Sequence, residues 1–215
     1  MDKLYMLGDS VFDNVDYVKE GERGTEAWTK HLLEPYNVGI EFLALDGATT
    51  VHVRNSQLGY LDQDTELIVM SIGGNDLLGI LPLLETNQGS MLKTFAVMEE
   101  ERESFRKSYA GMLEAIRKKS PKAKIGVFDI YYPCWKSPRP FRPLPPYSEN
   151  LDKASRMGVD LFNKTIRDFF EKEDVKPLSS ICSEEIHFAD PIEPSSEGSR
   201  VIAEAVRDFY LQFKH

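Results

Sequence analysis

The stretch KLYMLGDS, residues 3–10, indicates the fold class more strongly than any other part of the sequence. A short apolar run leads to Gly8-Asp9-Ser10. An apolar run of this length that ends in turn residues is typical of a buried β-strand. Ligands of an open α/β sheet bind beyond the carboxyl ends of its strands, so the sequence places Ser10 at the edge of a binding crevice. The tripeptide is also common in turns and at helix N-termini, and by itself it assigns no activity.

Short apolar runs alternate with longer segments of helical periodicity along the rest of the chain. This alternation predicts repeated βα units and an α/β fold around a largely parallel sheet of about five strands. The predicted strands are residues 3–7, 40–45, 66–72, 124–130 and, less clearly, 177–181. The predicted helices are residues 25–33, 91–119, 148–170 and 196–213. The apolar positions predicted to be buried on the long helix are Phe95, Met98, Phe105, Tyr109, Met112, Leu113 and Ile116.

Composition limits the classes of partner and the expected location. The length of 215 residues suits one hydrophobic core, and we predict one domain over residues 1–215. With 35 acidic and 26 basic residues, the net charge of −9 disfavours binding to nucleic acid or to an anionic membrane. No apolar run approaches the roughly 20 residues that span a bilayer, and no leader precedes the first predicted strand, so a cytoplasmic location is expected. Cys134 and Cys182 lack metal-site spacing, which predicts reduced, buried thiols, no metal and no cofactor.

Residues 136–147, KSPRPFRPLPPY, are rich in proline and break the βα pattern. Proline continues neither regular element and favours extended polyproline geometry, which predicts a surface loop. Such a loop beyond the fourth predicted strand belongs to the rim of the binding crevice. A second interpretation is a proline-rich ligand for an SH3-type groove on a protein partner. The first is favoured, because chance matches to proline-rich ligand patterns are frequent.

Two further loops follow the second and third predicted strands. They contain Asp46-Gly47-Ala48-Thr49-Thr50 and Gly73-Gly74-Asn75-Asp76. Backbone N–H groups at glycine and an asparagine amide are suitable donors for the negative oxygen of a tetrahedral acyl-transfer intermediate. Because the carboxyl ends of parallel strands meet at one edge of a sheet, one nucleophile and two sets of donors are predicted to converge there.

These three blocks resemble those of the SGNH (GDSL) hydrolase superfamily, in the same order and at spacings of that kind. The matching residues are Ser10, Gly47 and Asn75, and the resemblance spans nearly the whole chain. It implies a three-layer αβα sandwich with a flavodoxin-like sheet. It also implies serine-dependent hydrolysis of small acyl or acetyl esters through an acyl-enzyme on Ser10. The oxyanion hole would comprise the Ser10 N–H, the Gly47 N–H and the Asn75 side chain, and the partner would be a small-molecule ester.

The fourth block departs from the family pattern. The family has an aspartate and a histidine three residues apart before the last helix, whereas here Glu193 follows Asp190 at that spacing. Imidazole, with a pKa of about 6.5, can accept the serine proton near neutrality, whereas glutamate in water, at about 4.3, is a weaker base. Ser10, Asp190 and Glu193 are therefore the predicted catalytic residues, in a non-standard acid/base arrangement.

Three outcomes are open for this substitution. Glu193 can itself be the base, if burial beside Asp190 makes the two carboxylates share a proton. His187, close to the fourth block, can take the histidine's role. Alternatively, hydrolysis has been lost and the pocket binds a ligand or the protein acts as an interaction module. Asp13, three residues after Ser10, is a supporting candidate, and Asp9 is expected to brace the Ser10 turn.

Overall fold

The computed structural model describes residues 3–80, 89–137, 148–170, 175–178 and 182–213. Five parallel strands form one sheet in the order β2-β1-β3-β4-β5. This is the flavodoxin-like order, with β2 on one side of β1 and β3 to β5 on the other. A ligand crevice lies where the order reverses, between β1 and β3. The strands are β1 (Lys3–Gly8), β2 (Gly39–Phe42), β3 (Leu67–Ser71), β4 (Lys124–Phe128) and β5 (Val175–Leu178).

Helices cover both faces of the sheet, which confirms the predicted three-layer sandwich. They are α1 (Thr25–Leu33), α2 (Thr50–Ser56), α3 (Gly74–Leu78), α4 (Met91–Lys119), α5 (Glu149–Arg167) and α6 (Ser196–Leu211). Alternate residues of β1 enter two separate cores, as the pleat of a strand requires. Tyr5 and Leu7 pack with α2, α4 and α5, whereas Leu4 and Met6 pack with α1 and α6. The sheet is therefore buried on both faces, and its loops are left to form the site.

Two predictions about individual elements need correction. The fifth strand is Val175–Leu178 instead of 177–181, and residues 179–181 lie outside the described part of the chain. Phe95, predicted to be buried, is 53% exposed. The reason is length: the 29 residues of α4 extend about 44 Å, far beyond a five-residue strand, and its buried residues begin at Phe105. Most of the proline-rich loop, residues 138–147, also lies outside the described residues.

Two smaller features complete the description. Cys134 and Cys182 are both free thiols, and Cys182 is buried, but Cys134 is partly exposed instead of buried as predicted. Within the described residues, none of the helices combines the length and the apolar character needed to cross a membrane.

Candidate active site

The loops that follow β1, β2 and β3 meet at the carboxyl edge of the sheet. Gly8 at the end of β1 pairs with Ser71 at the end of β3, and the Leu45 N–H donates to the Gly8 carbonyl at 3.1 Å. Parallel pairing thus brings the segments that carry Ser10, Gly47 and Asn75 side by side, as the sequence predicts.

Gly8 is held so closely that only glycine fits. Its φ of +144° is unfavourable for other residues, and a Cβ there would lie 2.1 Å from the Ser71 carbonyl oxygen. The Gln57 side chain binds both polar groups of Gly8: Oε1 accepts from the Gly8 N–H and Nε2 donates to the Gly8 carbonyl, each at 2.8 Å. This buried double contact fixes the backbone two residues before Ser10. Sequence reasoning missed Gln57, since no local pattern marks a contact over 49 residues.

Two carboxylates hold the Gly47 loop against its neighbours. Oδ2 of Asp13 accepts from the Asp46 N–H at 2.9 Å, so this side chain contacts the second loop. Asp76 receives two hydrogen bonds from Thr50, one from the backbone N–H at 3.0 Å and one from Oγ1 at 2.7 Å. Burial raises the pKa of Asp76, and the two bonds from Thr50 oppose that shift. Asp13 and Asp76 are thus placed as supports of the loop.

The predicted oxyanion donors differ in placement: Asn75 lines the Ser10 pocket, whereas Gly47 is exposed and is not among the described residues that line it. Asn75 lines the same pocket as Ser10, and its Nδ2 donates to the Ala48 carbonyl at 3.0 Å. An asparagine amide has two N–H donors, and this bond uses one of them while fixing the orientation of the other. Gly47 precedes Ala48, is exposed, and has a φ of +77° that suits glycine.

Asp9 is a buried carboxyl beside the predicted nucleophile. It lines the pocket, and its Oδ1 accepts from the Val11 N–H at 3.1 Å, which is the turn-bracing contact expected from the sequence. Burial, followed by smaller contributions from the nearby charges of Asp76 and Asp46, raises the pKa of Asp9 to about 7. The backbone N–H of Val11 opposes this shift. Asp9 therefore changes charge close to neutral pH.

Asp190 and Glu193 are both almost fully buried, at 0% and 1% exposure. Asp190 Oδ1 accepts from the N–H groups of Ile192 and Glu193, each at 2.8 Å, and so shapes the turn between them. Glu193 lines the same pocket as Ser10. The structure thus brings Ser10, Asn75 and Glu193 to one cavity, and Asp190 supports the loop behind it.

Two side chains that the sequence analysis did not select anchor this loop. The Tyr131 hydroxyl donates to the Ile192 carbonyl at 2.7 Å. Burial, and then the charge of Glu193, hold the pKa of Tyr131 well above its ordinary value, so the hydroxyl remains a donor. Nδ2 of Asn14 donates to the Pro194 carbonyl at 3.1 Å and to Ser199 Oγ at 2.7 Å. The loops of Ser10 and Glu193 are therefore tied together by Asn14.

The described histidines do not reach the pocket. Nδ1 of His187 accepts from the N–H groups of Ser183 and Glu184 at 3.3 and 3.2 Å, and closes a short turn. His52 contacts Thr49 at the start of α2, and His31 lies on α1 with its ring centroid 5.9 Å from that of Trp28. Among the residues the structure describes, Glu193 is the titratable side chain of the fourth block that lines the Ser10 pocket. His215 lies outside the described residues.

The pocket has a volume of about 270 Å³. Its polar lining residues include Asp9, Ser10, Asn75 and Glu193. Apolar side chains beyond the ends of β3 and β4 form most of the remaining wall, and they include Leu77, Ile80, Met98, Ile130, Trp135 and Phe162. The Ser10 hydroxyl makes no hydrogen bond to any other residue within the described ranges. The arrangement can place an ester carbonyl beside Ser10 and an apolar group along the wall.

A model of the GDSL-like lipase/acylhydrolase family matches residues 6–201. The chain belongs to this family. Family membership assigns the protein to the lipases and acylhydrolases, enzymes that hydrolyse ester bonds. A search of curated proteins gave no match.

Solved structures with the same fold cover nearly the whole length of this GDSL-family chain. A phospholipase A1 from Streptomyces albidoflavus NA297 is 19% identical with a TM-score of 0.68, over 96% of this chain and 98% of that one. A lipase from a goat rumen metagenome is 20% identical with a TM-score of 0.68, over 97% of each chain. An acetylxylan esterase from Geobacillus stearothermophilus, solved as a catalytic histidine-to-alanine mutant, is 15% identical with a TM-score of 0.66, over 95% and 92%. At these identities the likeness concerns the fold.

Proposed function

We propose that this GDSL-family protein hydrolyses small acyl or acetyl esters through an acyl-enzyme on Ser10, with Glu193 and Asp190 in place of a histidine–aspartate pair. One observation carries the proposal: Ser10 and the nearly inaccessible Glu193 line the same pocket at the carboxyl edge of the sheet. A nucleophile, a carboxylate base and an amide donor that line one pocket are the groups that acyl transfer requires.

The proposed reaction has two steps. Ser10 Oγ attacks the acyl carbon while the Glu193 carboxylate accepts the hydroxyl proton, and the carbonyl oxygen becomes an oxyanion. Collapse of this intermediate breaks the bond to the alcohol, which leaves with the proton from Glu193, and the acyl group stays on Ser10. Water then attacks the acyl-enzyme and gives a proton to Glu193, the bond between Ser10 Oγ and the acyl carbon breaks, and Glu193 returns the proton to Ser10 as the acid is released. The N–H groups of Ser10 and Gly47 and the Asn75 amide bind the oxyanion in both steps.

Burial is the property that equips Glu193 for this role. Removing a carboxyl from water disfavours its charged form and makes it a stronger base than glutamate in solution. With 1% exposure Glu193 is in that situation. The two N–H bonds that Asp190 receives from Ile192 and Glu193 fix the backbone of Glu193. The related acetylxylan esterase, by contrast, has a catalytic histidine.

Removal of the nucleophile is the first test. We expect Ser10→Ala to abolish hydrolysis of p-nitrophenyl acetate and p-nitrophenyl butyrate, because the acyl-enzyme has no other site of attachment. Ser56→Ala, an exposed serine on α2, is the control and keeps the wild-type rate. Undiminished turnover by Ser10→Ala would refute the proposal.

Removal of the base is the second test. Glu193→Gln keeps the size of the side chain but accepts no proton, so kcat/KM falls by about a hundredfold or more. Glu197→Gln changes a half-buried glutamate four residues away, which is paired with Arg200 outside the pocket, and is the matched control. Replacement by histidine, Glu193→His, restores an imidazole base and moves the pH optimum toward neutrality. Equal activity of Glu193→Gln and wild type would transfer the base role to another group.

A second candidate function is ligand binding without hydrolysis. The observation that favours it is the Ser10 hydroxyl, which makes no hydrogen bond to a base among the described residues. A fluorophosphonate probe separates the two candidates, because it reacts readily with an activated serine. Labelling that depends on Ser10 and Glu193 supports the hydrolase, and no labelling between pH 4 and pH 9 supports the binding protein.

A further inference from the structure

We propose that the acyl group of the substrate is a linear hydrocarbon chain of medium length, held in the apolar part of the cavity, and that Gly158 on α5 sets how long this chain can be. This inference rests on the proposed function and names its substrate class. It distinguishes a medium-chain ester from the acetyl ester that the same catalytic residues could also cleave.

The size of the cavity favours a chain of medium length. Its volume is about 270 Å³. A water molecule occupies roughly 30 Å³ in the liquid, and a methylene group is of similar size, so the space holds about eight or nine such groups. An acetyl group would leave most of it unfilled. An apolar space that is left unfilled loses the contacts that packing would supply.

The chemistry of the cavity wall also favours a hydrocarbon chain. Several of its other polar side chains are engaged with protein partners. Trp135 Nε1 donates to Ser155 Oγ at 2.9 Å, and Ser155 Oγ donates to the Asp152 carbonyl at 2.9 Å. Oδ2 of Asp129 is paired with Arg167 at 2.5 Å, while its Oδ1 is buried and has no hydrogen-bond partner among the described residues. A hydrocarbon chain matches such a wall, whereas a sugar or peptide would leave its own polar groups without partners.

Gly158 lies inside α5 and lines the cavity. Glycine in the middle of a helix destabilises it by roughly 0.5–1 kcal/mol relative to alanine. The glycine at this position therefore indicates a role other than helix stability. A Cβ at Gly158 would lie 3.2 Å from Cδ1 of Leu77 on α3, which also lines the cavity. Glycine here therefore lets Leu77 pack directly against the backbone of α5, and a larger side chain at this position would displace Leu77 into the space that both residues line.

The positions of the reacting group and of the apolar lining residues determine how the acyl chain would lie. Ser10, Asn75 and Gly158 line the same cavity, and Leu77, which follows Asn75 by two residues on α3, would contact a side chain at Gly158. An acyl carbon bound at Ser10 thus directs its chain toward Gly158. Each methylene buried in this way stabilises the bound state enough to raise kcat/KM by about fourfold, until the cavity is full.

The test is a chain-length profile of purified wild type, Gly158→Val and Gly111→Val. Gly111 is the matched control: it lies inside α4, away from the cavity, and a Cβ there would meet the flexible end of Arg54 at 3.3 Å. With p-nitrophenyl esters from acetate to palmitate, wild-type kcat/KM rises to a maximum near octanoate. The octanoate-to-acetate ratio of kcat/KM falls by roughly 15- to 60-fold in Gly158→Val, which occupies the space of two or three methylenes, and is unchanged in Gly111→Val. A wild-type profile that falls steadily from acetate, or an equal ratio in Gly158→Val, overturns the inference.

Binding of sodium octanoate separates this inference from the proposed function. Calorimetry on Ser10→Ala, which has no nucleophile, is expected to show octanoate binding, and binding to the double variant with Gly158→Val is expected to be roughly 15- to 60-fold weaker. If the wild type hydrolyses no ester but binds octanoate in this Gly158-dependent way, the proposed function fails and the assignment of the cavity to a medium hydrocarbon chain stands. Absence of octanoate binding to both proteins overturns the assignment.

Discussion

Replacement of Asp9 by asparagine should remove much of the pH dependence of the protein's stability. Asp9 is 3% exposed and sits beside Ser10, with a pKa raised to about 7 by burial. Asparagine has the shape of the protonated acid, and its Oδ1 can still accept from the Val11 N–H. The substitution therefore imitates one of the two charge states of Asp9 at every pH.

The magnitude follows from the two pKa values of Asp9. In the unfolded chain the pKa is 3.8, and in the folded protein it is about 7. Below pH 3.8 the Asp9 carboxyl is protonated in both the folded and the unfolded protein, and its contribution to the free energy of unfolding is at its maximum. As the pH rises toward 7, the unfolded state releases this proton and the folded state retains it, so the free energy of unfolding decreases by about 1.4 kcal/mol per pH unit. The accumulated loss is roughly 4 kcal/mol and is complete above the folded pKa.

Urea unfolding at several pH values between 4 and 8 measures this effect. The free energy of unfolding of wild type is expected to fall through this range by roughly 4 kcal/mol more than that of Asp9→Asn. Asp64→Asn, a change at an exposed carboxyl, is the control and follows the wild-type curve. Parallel curves for Asp9→Asn and wild type would show that Asp9 does not hold its proton in the folded state, and the reasoning from its burial would be wrong.

Three further substitutions test the contacts that position the site. Gln57→Leu leaves the Gly8 N–H buried without a partner and removes one of the two hydrogen bonds to the Gly8 carbonyl, so urea unfolding should show a loss of about 2–3 kcal/mol. Asn14→Ala removes the bonds to the loop of Glu193, so we expect a loss of about 2–3 kcal/mol in the same assay, together with reduced kcat. Gly198→Ala places a Cβ 2.1 Å from the His187 carbonyl oxygen, which forces the turn away from α6 and lowers Tm by several degrees. A change within about 0.5 kcal/mol of wild type in any of these variants would mean that the corresponding contact does not form.

The sheet could be predicted because its strands carry local patterns. The apolar run before Gly8 is short and continuous, as a strand buried on both faces requires, and Lys3–Gly8 is the observed β1. The fifth strand is different: Val175–Leu178 contains Pro177 and only four residues. Proline cannot donate to a sheet and is confined to edges, where β5 lies. A strand of this kind is defined by its neighbour β4, and the sequence alone does not set its boundaries.

The site divides in the same way. Ser10, Asn75 and Glu193 belong to short motifs at strand and helix ends, and all three line the predicted crevice. The residues that hold these motifs carry no motif of their own. Gln57 acts over 49 residues and Asn14 over 180, so their roles depend on which loops the fold brings together. Local patterns thus identify reacting groups, whereas supporting groups become visible once the tertiary structure is known.

The contacts of the fourth loop make Glu193→His a test of chemistry. The backbone of this loop is held by bonds that do not involve the Glu193 side chain: two N–H bonds to Asp190, the Ala189 N–H to the Glu193 carbonyl, and the Tyr131 hydroxyl to the Ile192 carbonyl. Exchange of the side chain leaves these bonds in place, so the loop is expected to keep its position. A gain of hydrolysis near pH 7 in Glu193→His would then show that the site is complete except for its base. A folded variant that gains no activity, but still binds octanoate, would show instead that the site lacks more than its base for catalysis.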